Sequence, residues 1–361
     1  MKYSLLFILS LLLGTALTTK AQQEVSETQI DDEFFIPVEQ SKLYARLIGH
    51  ADKPIIITLH GGPGAFSVDH EFYKDVFEQD YLVLYFDQRG GGKSDECKDK
   101  SMLTTDQFVK DLDDVVDFIK ARYPNQKVNL LGTSWGGTYG FLYLLKHQEK
   151  INSFISSSGF VDSPQRNLSL ISHERKLAQK GLKSQKDPLK RKRYQEILTQ
   201  LDRIERSGFM DFFQDMNLLR YEFPKDLGFD VYWAQPALQA KKTALLSDTA
   251  FYTRVKYSPS EIEKAFEKLE YVNEVFMNTA SYNNLNIVSQ LALIKRPVLV
   301  IQGEFDYAIG VDQGRTIYNA LTHVPKADKS LVYLKNASHN TAFEAPEAYY
   351  KAMKLFFDKH N

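Results

Sequence analysis

The fold of this chain is decided at Gly132-Thr133-Ser134-Trp135-Gly136-Gly137, where an apolar strand turns directly into a helix. The strand is predicted over residues 128–131, and helical spacing follows over residues 139–146. A G-x-S-x-G pattern in this context is typical of a nucleophilic serine on a sharp turn. The glycines on either side let the strand and helix backbones pass closely. We therefore predict that Ser134 is a nucleophile with a strained backbone, its hydroxyl held above a positive helix N-terminus.

Apolar runs on both sides of this turn predict an α/β fold with a mostly parallel sheet. Short apolar runs bounded by glycine, proline or charge are typical of strands buried on both faces. An amphipathic helix with Phe108, Leu112 and Ile119 on one stripe lies between two of the runs. This alternation implies helices on both faces of the sheet. The predicted strands besides 128–131 are 34–38, 43–48, 55–59, 81–86, 151–157, 298–301 and 331–334.

In the middle of the chain, the apolar residues have helical rather than strand-like spacing. Helices are predicted over residues 175–183, 190–206, 210–219 and 261–276, and the strand pattern then resumes at Ile294. A helical insertion in an α/β domain is interpreted as a cap. We predict a core domain of residues 33–160 and 285–361, and a cap domain of residues 161–284.

The composition excludes several other classes of protein. The chain has 361 residues, of which 43% are hydrophobic and 13% aromatic, and its formal net charge is -1. Disordered chains have fewer aromatic residues and more net charge, and nucleic-acid binders usually carry a basic excess. A single cysteine forms no internal disulfide and no thiolate zinc cluster. We expect no metal, no cofactor and no nucleic-acid partner.

The N-terminus predicts a secretory signal peptide over residues 1–21. Lys2 precedes an apolar run from Leu5 to Leu17, and small or polar residues follow up to Ala21. The alternative is an uncleaved membrane anchor, which normally needs about 20 apolar residues. We expect cleavage near Ala21, export to the periplasm or beyond, and no stable membrane insertion afterwards.

A serine hydroxyl needs a base, and the partners are expected just after later strands, in the order acid and then histidine. His339 follows the strand predicted over 331–334, and Asp306 follows the one over 298–301. We predict that His339 is the general base and that Asp306 orients it. Other candidates for the acid are Glu304, Asp312 and Asp162.

The stretch His60-Gly61-Gly62-Pro63-Gly64 follows the strand predicted over 55–59 and can supply part of an oxyanion hole. We predict that the N–H groups of Gly62 and Trp135 bind the oxyanion. The ring of His60 is expected to tie this loop down. The alternative is a plain Gly-Pro turn.

Three motifs in order closely resemble the prolyl iminopeptidase family of α/β-hydrolases, which includes the tricorn-interacting aminopeptidases. They are residues 60–64, residues 87–94 with Asp87-Gln88-Arg89-Gly90, and residues 132–137. The resemblance implies an α/β-hydrolase fold, a Ser-Asp-His triad and a helical cap. It also implies release of an N-terminal residue, often proline, from short peptides. Asp87 and Arg89 are expected to be structural.

Family members use cap glutamates to hold the free amino group of the substrate. Glu274 lies near where one such residue falls, Glu222 is another cap carboxylate, and the cap tryptophan is Trp233. The resemblance therefore implies Glu274, Glu222 and Trp233 as substrate-binding residues. A desolvated ammonium group needs such a partner.

Three functions remain open from the sequence. The first is an exported serine aminopeptidase that removes proline or another small apolar residue from short peptides. The second keeps the same triad for a carboxylic ester, an amide or a lactone, which the fold supports equally well. The third is a catalytically idle binding protein on the same scaffold.

Overall fold

The computed structural model describes residues 29–68, 70–208, 211–235 and 237–361, and it is built on one eight-stranded sheet. The order across the sheet is β1-β2-β4-β3-β5-β6-β7-β8. Strands β3 to β8 run parallel to one another, whereas β1 and β2 form an antiparallel hairpin and β2 is antiparallel to β4. The predicted α/β class with a mostly parallel sheet is confirmed. The strands are β1 (Gln29–Val38), β2 (Ser41–His50), β3 (Ile55–Leu59), β4 (Leu82–Phe86), β5 (Val128–Thr133), β6 (Phe154–Ser157), β7 (Val298–Gly303) and β8 (Lys329–Leu334).

Alternate residues of the central strands supply two separate apolar layers. Ile55, Ile57 and Leu59 of β3 point into the layer that includes helices α2 (Thr105–Arg122) and α3 (Trp135–His147). Ile56 points to the opposite face, where helices α1 (His70–Phe77) and α14 (Pro346–His360) pack. Because successive strand residues face opposite sides, a fully apolar strand is buried by helices on both faces.

Most of the remaining helices lie between β6 and β7. They are α4 (Ser163–Ser184), α5 (Pro188–Ser207), α6 (Phe212–Asn217), α7 (Phe223–Leu227), α8 (Leu238–Ser247), α9 (Thr249–Arg254), α10 (Pro259–Met277) and α11 (Ala280–Asn283). A π-helical turn, Leu218–Glu222, joins α6 to α7. An isolated antiparallel bridge pairs Asp162 with Asn286 at the base of this insertion. Helices α12 (Gln313–Ala320) and α13 (Thr341–Glu344) follow β7 and β8.

Helix α4 begins twelve residues before the predicted start at residue 175. The side chain of Asp162 caps it by accepting a hydrogen bond from the Gln165 amide at 2.9 Å, and Pro164 occupies its first turn. The early turns bury polar residues such as Arg166 and Asn167, so they lack the apolar stripe that predicts a helix.

The predicted signal peptide of residues 1–21 lies outside the described residues. Within the described ranges, no helix combines the length and apolar character that a membrane crossing requires.

Candidate active site

Ser134 occupies the turn between β5 and α3 with a backbone of φ 57° and ψ −121°. This conformation is rare for a residue with a side chain and is strained. The flanking glycines allow the backbones around this turn to approach closely. A Cβ at Gly136 would lie 1.8 Å from the Leu59 carbonyl oxygen, and one at Gly132 would lie 2.2 Å from the Gly136 oxygen. The turn therefore holds the Ser134 side chain at the carboxyl end of the sheet, next to the start of α3.

The structure brings Ser134, His339 and Asp306 into one hydrogen-bonded chain. His339 Nε2 lies 3.0 Å from Ser134 Oγ, and Nδ1 lies 2.9 and 3.2 Å from the two carboxylate oxygens of Asp306. Because a carboxylate only accepts hydrogen bonds, Nδ1 carries the ring proton and Nε2 accepts from the serine hydroxyl. Asp306 is fully buried, so its carboxylate is held behind the ring and away from solvent.

The other candidate acids lie away from this chain. Glu304 is exposed and accepts a hydrogen bond from the Asn336 amide at 3.3 Å. Asp312 is exposed just before α12, and Asp162 caps α4. Of the four carboxylates considered from the sequence, Asp306 is the one that contacts His339.

The glycine loop after β3 lies against the serine. A Cβ at Gly61 would come within 3.2 Å of the Ser134 Cβ, and Gly62 has φ 114° and lines the same cavity. The Trp135 amide occupies the first position of α3, where a helical N–H has no partner inside the helix. The amides predicted to bind an oxyanion therefore belong to the two segments that meet at Ser134.

His60 fixes this loop from behind. Gln88 N–H donates to His60 Nε2 at 3.1 Å, so the proton on Nδ1 donates to the Gly61 oxygen at 2.8 Å. Burial lowers the pKa of His60, which favours the neutral ring that this pattern needs. The Trp135 indole donates to Gln88 Oε1 at 3.2 Å and ties the loop to the serine turn.

Asp87 and Arg89 both make buried structural contacts. The Asp87 carboxylate accepts from the amides of Ser67 and Lys93, each at 2.7 Å, and from the Tyr257 hydroxyl of the helical insertion. Arg89 donates two hydrogen bonds, of 2.7 and 2.6 Å, to Asp111 in α2. This paired geometry satisfies two charges that would otherwise be costly to bury.

A cavity of about 700 Å³ opens onto Ser134 and His339. Aromatic and aliphatic side chains dominate its wall, and both the sheet domain and the helical insertion contribute. Among the described lining residues, the arginine, lysine, aspartate and glutamate side chains are limited to Arg166, Arg220 and Glu270. Such a site can activate a serine for attack on an acyl carbon and can hold an apolar substrate group beside it.

Sequence and structure comparisons relate this chain to known α/β hydrolases. A sequence profile of the α/β hydrolase fold matches residues 54–194. A proline iminopeptidase of Saccharolobus solfataricus is 27% identical over 309 residues, which cover 84% of this chain and 84% of that protein. A proline iminopeptidase of Thermoplasma volcanium is 25% identical over 86% of this chain and 90% of its own length. The chain therefore has the α/β-hydrolase fold and is similar in sequence to proline iminopeptidases over most of its length.

A related solved structure has the same fold. The proline iminopeptidase-related protein of Thermus thermophilus superposes with a TM-score of 0.60 at 22% identity, covering 92% of this chain and 98% of its own. At this identity the likeness concerns the fold alone.

The carboxylates predicted from the family resemblance do not line the cavity, and this part of the site prediction needs correction. Glu274 is exposed on α10 and lies outside the lining residues. Glu222 is also exposed, and its side chain accepts from Asn217 at 3.2 Å. Their positions around the helix axis place both side chains outside the cavity wall.

Trp233 is likewise outside the cavity lining. It is buried, and its ring packs at a steep angle on Phe343 with the centroids 5.6 Å apart. Its neighbour Tyr232 lines the cavity instead, with its ring centroid 5.7 Å from that of His339. The residue that borders the cavity is therefore Tyr232 rather than the predicted Trp233.

Glu270 was missed by the sequence analysis and lines the cavity from α10. It lies one helical turn before Glu274, on the stripe formed with Phe266, Asn273 and Met277. The buried side chains of α10 could have fixed this phase from the sequence. Arg166 and Arg220 were also missed, because isolated arginines in a charged helical segment resemble a solvated surface.

Proposed function

We propose that this chain is a serine aminopeptidase that releases an N-terminal residue, proline or another small apolar one, from short peptides. The observation that carries the proposal is the continuous hydrogen-bonded chain from Ser134 through His339 to Asp306, open to a largely apolar cavity. Sequence similarity to proline iminopeptidases over most of the chain supports the peptide substrate.

In the proposed reaction, Ser134 Oγ attacks the carbonyl carbon of the first residue while His339 Nε2 accepts the hydroxyl proton. The imidazolium then donates this proton to the leaving amine, which gives an acyl-enzyme and frees the shortened peptide. Water, activated by the same ring, hydrolyses the acyl-enzyme. Asp306 keeps the ring in the required tautomer and stabilises its positive charge.

The amides of Gly62 and Trp135 are proposed to bind the oxyanion of each tetrahedral intermediate. Both segments are fixed before the reaction, Gly62 through His60 and Trp135 through its indole bond to Gln88. Donors that need no rearrangement stabilise developing charge most effectively.

Glu270 replaces Glu274 and Glu222 as the proposed partner of the substrate amino group. It is the one carboxylate among the described side chains that line the cavity. Its exposure places the amine near the cavity mouth, where a charged group keeps part of its hydration.

Export is part of the proposal and is supported by the sequence of residues 1–21. Expression of the full chain in a bacterium, followed by fractionation and N-terminal sequencing, tests it. We expect a periplasmic or secreted protein that begins near Gln22. A protein that keeps Met1 and stays in the cytoplasm would contradict export.

A hydrolase of carboxylic esters, amides or lactones is the second candidate. The dominance of aromatic and aliphatic side chains in the cavity favours it, because an apolar acyl group needs no ammonium partner.

One assay separates the two candidates. Purified protein is given proline arylamide, the same compound with its nitrogen blocked, and a short aryl ester. The aminopeptidase hydrolyses the free-amino substrate and discriminates against the blocked one. Equal turnover of the blocked compound, or ester hydrolysis alone, favours the second candidate. Ser134→Ala is expected to lower hydrolysis by about 10⁴-fold or more.

A further inference from the structure

Arg166 brings a buried positive charge to the wall of the cavity. It lies in the first turns of α4, and only 1% of its surface is exposed. Its Nε donates to Asn167 at 3.2 Å, and its Nη1 donates to the Tyr282 hydroxyl at 3.0 Å. Its Nη2 is buried and has no hydrogen-bond partner among the described residues. The guanidinium lies over the Phe160 ring, 4.4 Å from its centroid, so one face is covered and one N–H group is unused.

Arg220 brings a second positive charge to the same cavity. It projects from the π-helical turn, where its Nη1 donates to the Tyr232 hydroxyl at 3.3 Å and its Nη2 donates to the Ala308 carbonyl at 3.1 Å. Its Nε is buried without a partner among the described atoms. Both acceptors are next to residues of the proposed triad. The Tyr232 ring packs on His339, and Ala308 is two residues after Asp306 in the chain.

Neither arginine forms an ion pair within the described part of the chain. Arginine stays protonated in proteins, so both charges persist inside the cavity wall. Burying a charge without a counter-ion is costly unless a partner arrives with the ligand. Glu270 is exposed on α10 and makes no ion pair with either side chain in this structure.

The unused donors define the chemistry of the missing partner. The unused donors are Arg166 Nη2 and Arg220 Nε, and a carboxylate carries the opposite charge and accepts hydrogen bonds at both of its oxygens. Arg166 packs on Tyr282, whose ring centroid lies 6.0 Å from that of Trp135, and Arg220 reaches His339 through Tyr232. Both cations line the same cavity as Ser134 and His339.

We propose that Arg166 and Arg220 bind a substrate carboxylate close to the scissile bond, so that the preferred substrate is a dipeptide with a free C-terminus. This inference rests on the proposed aminopeptidase function and names its substrate class. A dipeptide carries its amino group and its carboxylate on either side of the one peptide bond. In the cavity, Glu270 supplies a negative partner for the amino group, and Arg166 and Arg220 supply positive partners for the carboxylate.

The test is binding to a full-length Ser134→Ala protein, which removes turnover. Calorimetry compares Pro-Ala with Pro-Ala amide, which differ only in the C-terminal charge. We expect the dipeptide to bind about tenfold or more tightly than the amide, the range for hydrogen bonds to a charged group. Equal affinities would overturn the inference.

Two further variants of the Ser134→Ala protein test whether the arginine pair causes the preference for Pro-Ala over its amide. Arg220→Gln is expected to remove most of the discrimination between Pro-Ala and its amide, and thermal melting checks that it folds. Arg191→Gln is the matched control, because Arg191 is exposed on α5, lies outside the cavity lining and donates to the backbone carbonyls of Leu182 and Gln185 at the end of α4. Discrimination that survives Arg220→Gln undiminished would overturn the assignment. The comparison of acid with amide in the Ser134→Ala protein needs no arginine variant, so a folding defect of Arg220→Gln does not remove the test.

Failure of the proposed function gives a different result. If the wild-type protein does not hydrolyse proline arylamide but the Ser134→Ala protein still prefers the carboxylate, the aminopeptidase is contradicted and the carboxylate site stands. If it hydrolyses arylamide and shows no preference for the acid, the carboxylate site alone is contradicted.

Discussion

Asp306 is buried behind the ring of His339, where its carboxylate accepts the Nδ1 proton. In Asp306→Asn, the amide nitrogen can donate to Nδ1, which favours the tautomer with the proton on Nε2. That tautomer cannot accept the Ser134 proton, so we expect kcat to fall by about 10⁴-fold while the fold is kept. Steady-state kinetics on proline arylamide measure the loss. A fall of less than about tenfold would contradict the role of Asp306.

Glu270 offers a prediction with a built-in control. Glu270→Gln should raise KM for a substrate with a free amine by about fivefold, the value of a partly exposed ion pair of roughly 1 kcal/mol. A substrate with a blocked nitrogen should be unaffected. Glu274→Gln, one turn further along α10 and outside the cavity, should change neither value. Equal effects of the two variants would contradict the assignment of Glu270.

The residues at strand ends could be predicted because the chain itself fixes their place. In a parallel sheet, the segments after β5, β7 and β8 must emerge at one edge, so Ser134, Asp306 and His339 could be selected without coordinates. The cavity-lining side chains of the helical insertion were harder to predict. Their place in the cavity depends on how each helix is rotated when it packs, and an error of about 40° moves Glu270 to Glu274.

At the scale of elements, α4 buries a carboxyl group that the proposed reaction does not use. Glu174 is fully buried, both its oxygens lack partners among the described atoms, and burial raises its pKa to about 9. The folded protein therefore holds a proton that the unfolded chain releases above its ordinary pKa of 4.5. Folding stability should fall as the pH rises from about 4.5 to about 9.

Glu174→Gln removes this proton linkage and should stabilise the protein increasingly over that pH range. The gain is of the order of 2 kcal/mol at pH 7, with a small effect near pH 5. Thermal melts at pH 5, 7 and 9 measure it. Glu263→Gln, an exposed glutamate of α10, is the control. A gain at pH 9 no larger than that at pH 5 would contradict the buried, protonated state of Glu174.

The strands were easier to predict than the helices for a physical reason. Strands buried on both faces are continuous apolar runs, and all eight predicted strands occur in the sheet. In the insertion, helix α10 is found over Pro259–Met277, close to the predicted 261–276. The short helices α8, α9 and α11 were not predicted, because fewer than three turns give little periodicity to detect.

At the scale of the whole molecule, the cavity exists only because two parts of the chain are held together. The Tyr257 hydroxyl of the insertion donates to Asp87 in the loop after β4. Lys268 of α10 donates to the carbonyls of Gly92 at 2.9 Å and Ser94 at 2.7 Å. These bonds set α10, and with it Glu270, above the loop that follows β4.

The same long-range assembly brings the proposed nucleophile to its proposed base, since Ser134 and His339 are 205 positions apart in the chain. A serine hydroxyl is a weak nucleophile by itself, so reactivity requires both the folded molecule and the imidazole.

Labelling with a fluorophosphonate probe, read by mass spectrometry of the digested protein, tests this claim most directly. We expect the folded wild-type protein to be modified at Ser134, with labelling strongly slowed in His339→Ala and absent in Ser134→Ala or in urea-unfolded protein. A folded wild-type protein that stays unlabelled at Ser134, or is labelled equally fast without His339, would contradict the account.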